Sequence, residues 1–104
     1  MFGLFEKYKK QDELIKAINA NDIMRVNQML SERDTDPTIN DNEALILAVK
    51  KDILGVIDIL LKDWDVLSTL DWSKVMGSAT NLTTKNYIGK IKAQRDIQMS
   101  MKRL

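Results

Sequence analysis

The chain has no cysteine and no histidine among its 104 residues, and only one proline, four glycines and 6% aromatic residues. Each shortage closes a route. Without thiols there are no disulfides, no thiolate nucleophile and no cysteine-held metal. Without imidazole the commonest general base and the commonest zinc ligand are missing. The glycines are scattered at Gly3, Gly55, Gly77 and Gly89, so no glycine-rich phosphate loop exists. Long apolar runs are missing too. Ile53-Leu54-Gly55-Val56-Ile57 is interrupted at Asp58, far short of the ~20 residues a membrane helix needs. Residues 1–5 are apolar, but Glu6, Lys7, Lys9 and Lys10 follow at once and leave no signal-peptide core. A cytoplasmic protein that does not engage a membrane is the expectation. Asn81-Leu82-Thr83 has the form of a glycosylation sequon, with no secretion route to support it.

What is present is the composition of one small globular domain, 44% hydrophobic and 30% charged. A chain of this length buries roughly two-thirds of its unfolded surface, enough for a modest core. Sixteen basic residues against fifteen acidic ones give a net charge of +1, which points to no class of partner. The distribution is uneven. Residues 1–84 carry ten basic and fourteen acidic groups, whereas residues 85–104 carry six basic groups and one acid.

Sliding the sequence along itself exposes an interval of 31 residues. Leu14-Ile15-Lys16-Ala17-Ile18 falls on Leu45-Ile46-Leu47-Ala48-Val49, and Val26, Met29 and Leu30 fall on Ile57, Leu60 and Leu61. A weaker third copy places Met76 on Leu45, Ala79 on Ala48, Ile88 on Ile57 and Ile91 on Leu60. Within a copy, Leu45, Ala48 and Val49 have the spacing of one buried helical face, and Asp52 breaks the run. Leu54, Ile57, Leu60 and Leu61 then restart it as a longer second helix. Small residues at Ala17, Ala48 and Ala79 allow close helix approach. Asn40 with Glu43 has the form of a capping box. Residues 36–41, which hold the only proline, read as the turn between the first two copies. No strand-like alternation of useful length occurs, so the class is all-α.

Residues 45–61 carry the pattern of Leu, an apolar residue, Ala, a gap and then a Val-Ile-x-x-Leu-Leu run, and this resembles the ankyrin repeat. Residues 14–30 follow it less closely and residues 76–92 in outline. The family's Thr-Pro-Leu-His signature is absent, and its inter-helix glycine becomes Asn21, Asp52 and Thr83. The first two tolerate a left-handed backbone and the third does so poorly. The resemblance implies a stack of about three ankyrin-like helix-turn-helix repeats with helical caps at both ends. The expected divisions are a cap at 1–12, repeats at 13–43, 44–74 and 75–92, and a capping helix at 93–104. Phe2, Leu4, Phe5 and Tyr8 would form the first lid, and Ile97, Met101 and Leu104 the apolar face of the last helix.

The acidic groups do not assemble a convincing catalytic or metal site. The segment Asp34-Thr35-Asp36-Pro37-Thr38 begins a calcium-loop pattern, then has Ile39 where glycine belongs and Leu45 where the terminal acid belongs. Ser73 and Lys74 are adjacent and do not face one another on a helix. Neither an enzyme nor a bound cofactor or metal is expected. A binding surface remains. The resemblance implies that turns and inner helices form a concave face, here Asn19, Ala20, Lys50, Lys51, Asn81 and Leu82, with Asn40, Asp41, Asn42 and Ser73 from the turns. Trp64, Leu67, Leu70 and Trp72 form a cluster that would pack the junction between the second and third copies; the alternative is that Trp64 or Trp72 anchors a partner, since tryptophan is enriched in interface hot spots. The expectation is a small stand-alone protein–protein interaction module, an adaptor or an inhibitor. Its degenerate repeats would suit a viral or bacterial protein acting on a host factor. The alternative is a nucleic-acid-associated protein using Lys85, Lys90, Lys92, Arg95, Lys102 and Arg103, although the near-zero net charge and a lack of stacking aromatics argue against it. A monomer is expected, or a weak homodimer through Phe2, Phe5, Met99 and Met101.

Overall fold

Aspartate and asparagine set most of the helix starts. In the computed structural model, which describes residues 3–32 and 34–102, Asp22, Asp63, Asp71 and Asn81 each stand one residue before a helix. Each side chain accepts the backbone N–H three residues on, at 3.1, 3.1, 3.2 and 2.8 Å. Such bonds occupy donors that a helix start otherwise leaves open, and each contributes about 1 kcal/mol. The resulting helices are α1 (Gly3–Asn19), α2 (Ile23–Leu30), α3 (Ile39–Lys50), α4 (Leu54–Leu61), α5 (Trp64–Thr69), α6 (Trp72–Ser78) and α7 (Leu82–Lys102). The described residues contain no strand, and the expected all-α class holds. None of their helices is long and apolar enough to cross a membrane.

The helices form two layers, because each long segment folds back on itself at a short turn. In one layer α1, α3 and α6 pack side by side; in the other α2 packs on α4. The second layer is extended by α7, whose Tyr87 hydroxyl donates to Asp58 of α4. The short α5 packs on α4 and α3. The interior is elongated, in a molecule of 42 × 34 × 22 Å. Leu14 and Leu45, Ile18 and Val49, and Met29 and Leu60 are pairs 31 residues apart, and all are fully buried. Val26, Ile57 and Ile88 are likewise sealed, and Ala17, Ala48 and Ala79 are buried. Each large apolar side chain so placed contributes roughly 1.5–3 kcal/mol.

Several expectations change. The second helix of a pair is not the longer one: α2 has eight residues against seventeen in α1, and α4 has eight, no more than the right-handed part of α3 from Glu43 to Lys50. The divisions expected at 12/13 and 92/93 fall inside α1 and α7, which run through them with no proline to interrupt either. The capping box at Asn40 does not form. Asn40, Asp41 and Asn42 have φ of 56°, 59° and 61°, a left-handed turn that Asn and Asp tolerate best among residues with a side chain. A box needs an extended cap residue. Instead the Asn40 side-chain amide donates to Glu43 at 2.8 Å, and right-handed helix begins at Glu43.

Candidate interaction surface

The turns joining α1 to α2 and α3 to α4 close in the same way. Ala20, Asn21 and Asp22 donate their amides to Lys16, Ile18 and Ala17, at 2.9–3.0 Å. Lys51, Asp52 and Ile53 donate to Leu47, Val49 and Ala48, at 3.0–3.1 Å. Every donor and acceptor in the second set stands 31 residues after its counterpart. Each turn needs one left-handed residue, supplied by Asn21 (φ 54°) and Asp52 (φ 56°). The third turn departs. Thr83, the poor candidate for that conformation, lies within α7, and Asn81 starts the helix by capping it.

The turns lie edge to edge. Thr80 and Thr84 donate their hydroxyls to the two oxygens of Asp52, at 3.1 and 2.8 Å, which fixes the start of α7 beside the α3–α4 turn. On the other side Ile23, at the start of α2, lies against Gly55 of α4. A Cβ at Gly55 would come within 2.7 Å of the Ile23 Cδ1 atom. The edge carries exposed aliphatic residues: Ile23, Leu54 and Leu82 are the first residues of α2, α4 and α7, and Met24 follows Ile23. Met24 and Leu82 are 85% and 70% exposed, so no internal packing accounts for them. The same turns expose Lys16, Lys50, Lys51 and Lys85, together with Asn19, Asn81 and the acid Asp22. The signal in the sequence was an apolar residue directly after the left-handed Asx turn, at Ile23 and at Leu54. Helical spacing grouped Leu54 with the apolar Ile57, Leu60 and Leu61 instead.

The remaining expected surface residues are elsewhere. Asn40, Asp41 and Ser73 are exposed at the opposite end of the first layer, about 10 Å away along α3. Asn42 is 2% exposed and donates to the Thr69 hydroxyl at 3.2 Å. It cannot be a contact residue, because a bond to a residue 27 positions away draws its amide inward. This end is acidic. Lys74 pairs with Asp41 at 2.9 Å, and a hollow of about 570 Å³ is lined by Glu32, Asp36, Asp63 and Asp65. Burial works to raise the Asp36 carboxyl, but the Thr38 hydroxyl and amide and the nearby Lys7 outweigh it and hold Asp36 below the usual range. No group of three or more acidic side chains among the described residues is placed to hold a metal ion.

The two tryptophans divide. Trp72 is half-buried against the core, whereas Trp64 is exposed and receives the Arg95 guanidinium over its ring at 4.7 Å. The described basic side chains of α7 do not form one stripe. Lys92 pairs with Asp96 at 2.9 Å and Arg95 is taken up by Trp64. Lys85 and Lys90 are exposed, and helical spacing places them on different sides of α7. Phe2 and Arg103 lie outside the described residues, as do the side chains of Leu4, Phe5, Met99, Met101 and Lys102. No protein-family model, curated protein or solved structure matches the chain.

Proposed function

We propose that the chain is a small protein–protein interaction module, an adaptor or an inhibitor by occlusion, built as a short ankyrin-like stack that docks its partner on the edge formed by the helix turns. The matching hydrogen bonds of the first two turns support the repeat reading. One observation carries the docking reading: the exposed aliphatic residues Ile23, Met24, Leu54 and Leu82 stand at the starts of α2, α4 and α7, beside turns that also expose Lys16, Lys50, Lys51 and Lys85. An apolar patch rimmed by charge is the usual mark of a protein contact. The lysine rim selects for acidic groups around the partner's apolar contact, and such rim charges act chiefly on association rate and salt dependence. The acidic far end of the first layer, with Asn40, Asp41 and Ser73, faces away from that contact.

The test is a comparative pull-down from native lysate with quantitative mass spectrometry. The bait carries Lys50→Glu and Lys51→Glu together, or Leu54→Asp alone. Both baits are expected to lose a partner that the native chain and a Lys90→Glu control retain. Retention by the Lys50→Glu/Lys51→Glu bait would overturn the assignment of this edge.

A further inference from the structure

The groove between α4, α5 and α7 presents a different kind of site. A cavity of about 310 Å³ there is lined by the apolar Leu61, Leu67 and Ile91 and by the polar Gln94, Arg95 and Gln98. Its volume is at the lower end of the range for small-molecule sites, with space equal to about ten waters of bulk liquid. Ile91 lies about 13 Å along α7 from Leu82, so the cavity is separate from the turn edge.

Its electrostatics are unbalanced. Arg95 is half-buried, and the Trp64 ring beneath it, 4.7 Å from the guanidinium carbon, restrains the cation. The Arg95 Nη1 atom is sealed from solvent and meets no acceptor among the described residues. Asp58 is the carboxylate among the lining residues, and both its oxygens are engaged, one by the Tyr87 hydroxyl and the other by Lys62 at 3.1 Å. A partly desolvated guanidinium with no ion-pair partner among the described residues favours an anion placed beside it. Gln94 and Gln98, one helical turn apart, add neutral donors on the same side of α7. The facing wall, from α4 and α5, sets the aliphatic Leu61 and Leu67 beside the paired Asp58 and Lys62, and a bare inorganic anion would leave its aliphatic part uncovered.

We propose that this cavity binds a small amphipathic carboxylate, its anionic head beside Arg95 and its aliphatic body against Leu61, Leu67 and Ile91. A free aliphatic acid and the carboxy-terminus of a peptide ending in an aliphatic residue share that chemistry. The experiment titrates octanoate into the isotope-labelled full chain and follows backbone amide shifts. Saturable shifts are expected at Leu61, Leu67, Ile91 and Arg95. Octanoate is expected to bind at least about tenfold tighter than octanol, as a charge-assisted contact would give. Arg95→Gln is expected to remove that preference, while Lys90→Gln keeps it. A second arm uses an acetylated tripeptide ending in leucine, with its carboxyl free or amidated. Binding of the free acid form alone supports a peptide terminus, and binding of octanoate without either peptide supports a free acid. Equal binding of octanoate and octanol, or no saturable shift with either carboxylate, overturns the proposal. The octanoate–octanol comparison uses the native chain, so it stands even if the Arg95→Gln variant fails to fold.

Discussion

Asn21 and Asp52 stand 31 residues apart in the same left-handed conformation, φ 54° and 56°, yet only the Asp52 side chain ties its turn to the next one. The shared backbone and the unshared bonds separate two effects that glycine would otherwise confound. Asn21→Gly relieves the backbone while raising unfolded-state entropy, and its stability is expected within about 0.5 kcal/mol of the native chain. Asp52→Gly also loses the hydroxyls of Thr80 and Thr84, and a cost of about 1–2 kcal/mol is expected. Urea unfolding of both variants gives the comparison. Equal effects would mean that the Asp52 bonds contribute nothing.

Gly55 lies where a Cβ would come within 2.7 Å of Ile23 Cδ1, the far end of a side chain that is 40% exposed and free to turn aside. Gly55→Ala therefore sets a helix-propensity gain of about 1 kcal/mol against the displacement of Ile23. A near-neutral result is expected in the native background. In an Ile23→Ala background the clash is gone, and the same change is expected to stabilise by about 0.5–1 kcal/mol. A double-mutant cycle by thermal unfolding measures the coupling. Its absence would show that the two positions do not touch.

Gln11 is 3% exposed within α1, and neither its amide oxygen nor its amide nitrogen has a partner among the described residues. An unsatisfied buried amide costs about 1–3 kcal/mol, which an apolar side chain of similar length avoids. Gln11→Met is expected to stabilise the fold by about 1 kcal/mol, read by chemical denaturation. Destabilisation would show that the amide is engaged in solution.

The Tyr87–Asp58 contact predicts a signed pH dependence. Burial, then the hydrogen bond to Asp58 and its charge, push the Tyr87 phenol up to about 12. The phenol, then Lys62, hold the Asp58 carboxyl below its usual value. A depressed carboxyl contributes stability that is complete above the unfolded value of about 3.9 and is lost as pH falls through the folded one. A raised phenol contributes stability that is complete below about 10 and is lost as pH climbs towards 12. Tyr87→Phe is expected to cost about 1 kcal/mol at neutral pH and to reduce both losses. Unfolding curves at acid, neutral and alkaline pH test it. An unchanged alkaline loss would place its origin elsewhere, with Lys10 as the next group to examine, since its hydrogen bond to Glu32 raises it.

The buried frame was legible because it is local and periodic. Leu14, Ala17 and Ile18, and their counterparts at Leu45, Ala48 and Val49, lie on one helical face and end at an Asx residue able to turn left-handed. Features resting on distant partners were not legible. Nothing near Asn42 in the chain announces its bond to Thr69, and nothing near Trp64 announces Arg95. The apolar turn residues were hidden for a different reason. Ile23 and Leu54 continue a helical apolar pattern, and only the packing of α2 on α4 shows that both are left partly outside. The separate helix α5 was missed because Asp63 looks like a linker residue until its oxygen is seen on the Val66 amide.

Site-specific photocrosslinking in native lysate tests the central claim most directly. A photoreactive residue replaces Leu54, Leu82 or, as a control on another surface of α7, Lys90. The turn-edge account predicts the same discrete adduct from positions 54 and 82 and none from position 90. Adducts from position 90 with none from 54 and 82 would contradict it.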